Sequence, residues 1–138
     1  RKATAWSLGN YASAEVLKPL INSLQKDVAA VRLWASGSLA EVGSVSAETA
    51  AIAAKQLLIS LKIDVEPVVR SNCIWSLGRL FDKVAEEQKN ELIEAFVTVL
   101  LNDVEQSVRY EARIVLEQIE SPEVRSRFQQ LLDGGLLV

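Results

Sequence analysis

The chain has 138 residues, 49% of them hydrophobic and 24% charged, which suits one ordinary domain and is too apolar for a disordered chain. The net charge of −3 leaves no basic stripe to displace phosphate counterions, and no run of 18 uncharged residues could span a bilayer. His is absent, which removes the usual general base at neutral pH and the commonest metal ligand. Nucleic acid, membrane and metal are therefore not expected as partners.

Helices are predicted in chain order over 2–9, 14–25, 28–42, 47–62, 66–82, 87–101, 104–119 and 122–132. The first contains Trp6-Ser7-Leu8-Gly9, and the same four residues return as Trp75-Ser76-Leu77-Gly78, each set five residues after an arginine. "DVAAVR", "DVEPVVR" and "DVEQSVR" span the starts of the third, fifth and seventh helices. Aligning Arg1, Arg32, Arg70 and Arg109 gives intervals of 31, 38 and 39 residues, a period typical of helical repeats. A small side chain stands three residues after each arginine (Thr4, Ala35, Cys73, Ala112) and a leucine seven after it (Leu8, Leu39, Leu77, Leu116). With the preceding valine these positions form one inward helical stripe.

Each unit reads as helix A, a turn opening at Asp27, Asp64 or Asp103, then helix B. The aspartate is expected to cap helix B, which should start within two residues of it. Gly9 and Gly78 mark a helix end or a close approach, and the repeated Trp-Ser-Leu-Gly reads as a stacking signal. At the end, Ser121 is placed to cap a helix with Pro122 at its first position, and Gly134-Gly135 to stop it. One solenoid domain over 1–138 follows: a partial repeat (1–11), pairs at 12–42, 46–82 and 86–119, and a C-terminal cap over 121–138. With no Met and a lone first B helix, the chain is expected to be the C-terminal part of a longer protein, its uncovered N-terminal surface open to self-association.

The aspartate-to-arginine spacing, the small residue and "WSLG" resemble HEAT repeats, and are especially similar to the HEAT-like repeats of phycobilisome (bilin) lyases. Pro19 in "LKPLINSL" matches the placing of Pro in helix A of that family. Only the first interval fits the shorter repeats of the lyase group. The resemblance implies an all-α, right-handed solenoid whose aspartates and arginines form a ladder between units. Asp27, Arg32, Asp64, Arg70, Asp103 and Arg109 would carry it, after Arg1. It also implies a non-catalytic scaffold or adaptor binding a protein along a concave B-helix face. The alternative it implies is a relative of a bilin lyase, with a bilin as ligand and Trp34 and Glu41 nearest to it.

No catalytic residue is assigned. Ser7, Ser38 and Ser76 have no histidine to activate them. Glu86, Glu87, Glu91 and Glu94 read as a solvated face, and Cys73 as a small packing residue suited to a reducing, cytoplasmic setting. Trp34 lies off the inward stripe and reads either as packing between adjacent repeats or as an exposed anchor on the B-helix face. It heads the candidate binding face together with Glu41, Asn72, Arg79, Glu111 and Gln118.

Overall fold

Alanine, leucine and straight-chain charged residues fill the segments between the aspartate turns, and these lose little side-chain freedom in a helix. In the computed structural model, which describes residues 13–137, they form α1 (Ser13–Lys26), α2 (Ala29–Gly43), α3 (Ala47–Ile63), α4 (Pro67–Leu80), α5 (Glu86–Asn102), α6 (Gln106–Gln118) and α7 (Pro122–Asp133). A 3-10 turn, Phe81–Lys83, extends α4. There is no strand among the described residues. None of the described helices is long and apolar enough to cross a membrane. The partial repeat 1–11, the Arg1 rung and the N-terminal surface of Ala5, Trp6 and Leu8 lie outside the described residues.

The helices pair as α1–α2, α3–α4 and α5–α6 and stack in two layers, an all-α solenoid of helical repeats. We call α1, α3 and α5 the A helices and α2, α4 and α6 the B helices. One continuous core runs between the layers from Leu17 to Leu131. The stripe of α4 is its centre: Val69, Cys73 and Leu77 are wholly buried. Ala35, Leu39, Val108 and Ala112 are its buried counterparts in the neighbouring units, while Val31 is half-buried. Leu24, Leu61 and Leu100 close the core from the A side.

Local signals set several boundaries. Ser46 and Thr49 form a capping box at the start of α3, with Ser46 Oγ accepting from Thr49 N and Thr49 Oγ1 accepting from Ser46 N. Ser121 Oγ accepts from Val124 N at the start of α7, and Pro122 occupies the first turn. That helix ends at Gly134, followed by Gly135 with φ +74°, a conformation glycine adopts without steric cost.

The aspartates do not cap the B helices. The residues that precede α2, α4 and α6 are Val28, Glu66 and Glu105, none with a side-chain cap bond. Asp64 and Asp103 instead end α3 and α5, and α4 and α6 begin three residues after them. Their Oδ1 atoms accept from the amides two residues on, Glu66 N at 2.9 Å and Glu105 N at 3.0 Å. This turn geometry holds the carboxylate outside the helix entrance, and Pro67 fixes the start of α4.

Held there, each carboxylate meets the arginine of the preceding unit. Arg32 donates from Nε and Nη2 to both oxygens of Asp64, at 2.9 and 3.1 Å. Arg70 does the same to Asp103, both at 3.0 Å. The remaining nitrogen turns back: Nη1 of Arg32, Arg70 and Arg109 donates to the backbone carbonyls of Asp27, Asp64 and Asp103 respectively. Side-chain exposure in the Arg70–Asp103 pair is only 11% and 9%, so water does little to screen it. Burial alone would raise the Asp103 pKa, but the hydrogen bonds from Arg70 and Glu105 N and the arginine charge outweigh it and hold the carboxyl below its usual range. The Arg32 and Arg70 guanidinium pKa values are raised, chiefly by their aspartate hydrogen bonds.

Two consequences are measurable. Asp103→Ala strands a largely buried guanidinium and should lower stability by about 2–4 kcal/mol, read as a lower urea midpoint with unchanged slope. Because the folded pKa of Asp103 is depressed, its contribution is present above the unfolded value of roughly 4 and disappears as pH falls through the folded one. Asp103→Asn should therefore lose less stability than the parent over that acid range. Equal acid losses would contradict the coupling.

Candidate interaction face on the B helices

A helix places residues two, five and nine positions after the register arginine on one face. For α2 these are Trp34, Gly37 and Glu41; for α4, Asn72, Trp75 and Arg79; for α6, Glu111, Ile114 and Gln118. The inward stripe occupies the opposite side, so this face turns away from the core. Trp34 is 61% exposed and Trp75 45%. Neither ring is part of the core cluster.

Trp75 corrects the sequence reading of Trp-Ser-Leu-Gly. The stacking belongs to the three residues after it. Ser76 Oγ donates to Ser36 O of α2 at 2.8 Å, and Leu77 is wholly buried. Gly78 lies so near α6 that a Cβ would stand 3.0 Å from Val115 Cγ1, so it marks a close approach inside a continuing helix. The tryptophan itself projects outward, with the Arg79 guanidinium 4.9 Å from its ring centre. Its helical position relative to Asn72 and Arg79 was the available signal.

Two shallow depressions adjoin the Trp75 ring. One, of about 320 Å³, lies between the ends of α4 and α6 and is lined by Trp75, Arg79, Val115 and Gln118. The other, of about 280 Å³, is lined by Leu33, Val68, Asn72, Trp75 and Glu111. Four of the predicted face residues thus gather around Trp75, while Trp34 and Glu41 stand exposed on α2 outside both depressions. Asn72 is half-buried. Its amide nitrogen donates to Ser36 Oγ at 2.6 Å and Leu33 O at 3.3 Å, so half of its hydrogen-bonding capacity serves the contact between α2 and α4.

The remaining chemistry is muted. Ser36 Oγ donates to Leu33 O, so both buried B-helix serines spend their hydroxyls on backbone carbonyls. Cys73 is wholly buried, and burial, with the negative charge of Asp64 acting in the same sense, pushes its thiol up to about 12. Native protein at pH 8 should accordingly resist an aromatic disulfide reagent and react fully once unfolded in urea. Rapid labelling of the native state would refute the inert reading.

Among known families, the one described as HEAT repeats matches residues 1–78. No curated protein and no solved structure matches the chain. The matched residues end at Gly78, yet the same arginine register and buried stripe continue through Arg109, Ala112 and Leu116.

Proposed function

Because the chain belongs to the HEAT-repeat family, we propose that it is a non-catalytic scaffold or adaptor that holds another protein along the outward face of its B helices. The observation that carries this reading is the pair of large aromatic side chains, Trp34 and Trp75, exposed on a layer whose core does not use them. Aromatic and arginine side chains supply much of the binding energy at protein interfaces, and Arg79 lies against Trp75. Neighbouring B helices pack against one another more closely than α3 packs against α5. A stack bends toward its closer layer, and this supports a concave B face of the kind solenoids use for binding. The partner would rest on Trp34 and Glu41 at one end and on Trp75, Arg79, Glu111 and Gln118 at the other. A cytoplasmic setting fits the one free thiol.

The bilin lyase reading rests on the resemblance of the repeats. An open-chain tetrapyrrole whose visible spectrum shifts on mixing with the protein, and shifts less with Trp34→Ala, would favour it over the scaffold.

The scaffold reading is tested with the protein immobilised in an extract of its source cell. Trp34→Ala with Trp75→Ala should deplete the captured protein several-fold, while stability changes by no more than about 0.5 kcal/mol per exposed site. Unchanged capture would remove the B face from the binding surface. A large fall in stability would mean that the rings pack structurally.

A further inference from the structure

The A layer carries a second surface, away from both tryptophans. Gln25 Nε2 donates to Gln56 Oε1 at 2.8 Å and ties α1 to α3, while Arg127 grips both carboxylate oxygens of Glu94 and ties α7 to α5. Between α3 and α5, Gln88 Nε2 donates to Ala51 O at 2.9 Å near the starts of the two helices. The two helices otherwise approach each other at few places, and an open groove of about 560 Å³ lies between them. Its floor is apolar, made by Leu58, Leu61, Ala95 and Val99.

The rim is charged and one-sided. Glu87, Glu91 and Glu94 line the α5 wall, against Lys62 on the α3 wall. Glu94 is held by Arg127, whereas Glu87 and Glu91 make no ion pair among the described residues. Nearby Lys89 pairs with Glu86 instead. The α5 residues of the groove run from Glu87 to Val99, about 18 Å of helix at 1.5 Å per residue. A simple cation would gain nothing from the leucine floor, and an anionic polymer or lipid surface would be repelled by the rim.

We propose that this groove docks a basic amphipathic helix of a partner protein, apolar side on the leucine floor and Lys or Arg over Glu87 and Glu91. A helix laid in a groove anchors through residues at i, i+3 or i+4 and i+7, and these can follow the i, i+4, i+7 spacing of the three glutamates. The site is independent of the B face.

The probe is a synthetic fluorescent peptide of about 14 residues, roughly 21 Å as a helix, with Leu along one side and Lys along the other. A scrambled peptide of identical composition controls for the protein's negative charge. The patterned peptide should bind more tightly than the scrambled one, with amide shifts in α3 and α5. Glu87→Gln with Glu91→Gln should weaken it about threefold to tenfold at low salt. Thr98→Trp, at an exposed position on the groove, should block it, and Trp34→Ala with Trp75→Ala should leave it unchanged. Thermal midpoints of all variants verify folding. Equal binding of the scrambled peptide, or undiminished binding to folded Thr98→Trp, overturns the proposal whatever becomes of the B-face reading.

Discussion

Everything in this fold leans on a three-way grip by arginine. A guanidinium presents its donors in a rigid planar fork, so fixing two of them on a carboxylate fixes the direction of the third. Arg32 and Arg70 use that geometry to hold the backbone of their own turn and the carboxylate of the next unit together. The bond between repeats is therefore directional, while the core behind it is not. Hydrophobic burial alone would tolerate sliding of one helix pair over the next. The fork sets the register, and lysine in its place would supply charge without the angle.

The register explains why the B layer is tight. With the turns clamped, α2, α4 and α6 approach closely enough for side chains to bond across helices, as Ser76 does to Ser36 O and Asn72 to Ser36 Oγ. Gly78 against Val115 belongs to the same constraint, because a side chain there would meet a stiff β-branched neighbour. Among the described residues, no ion pair clamps α1 to α3 or α3 to α5, and only Arg127 on Glu94 ties α7 to α5 in that way. Hydrogen bonds between the A helices run through longer side chains, Gln25 to Gln56 from α1 to α3 and Gln88 to Ala51 O from α5 to α3.

Much of this was legible in the sequence because repetition turns weak signals into strong ones. One Val-Arg means nothing; three in register with a small residue and a leucine define a buried stripe. Helix starts were less legible, since a turn aspartate and a capping aspartate look alike in a string. What separates them is a partner more than thirty residues away, Asp64 for Arg32 and Asp103 for Arg70. Trp75 was misjudged for a related reason. Identity between two repeats was read as a stacking signal for all four residues, although the helical position of Trp75 puts it beside Asn72 and Arg79 on the outward face. The groove between α3 and α5 had no sequence signature at all. Glu87, Glu91 and Glu94 declare a polar face, but only the groove between two helices places Leu58 and Leu61 beneath it.

The two layers thus divide the work that a solenoid must do. Residues that set the stacking, namely the arginines, the aspartates, Ser76 and Gly78, sit at turns or between B helices and are spent on the fold. The outward B face is left free of structural duty, apart from the amide of Asn72, so it can carry bulky aromatics without disturbing the core. The A face has the complementary freedom: looser packing leaves space in place of projecting rings. A projecting aromatic fills a hollow on a partner, whereas a leucine-floored groove accepts a ridge. On the two proposals, one stack of helix pairs would offer two recognition surfaces of opposite shape, both following from the unequal tightness of its layers.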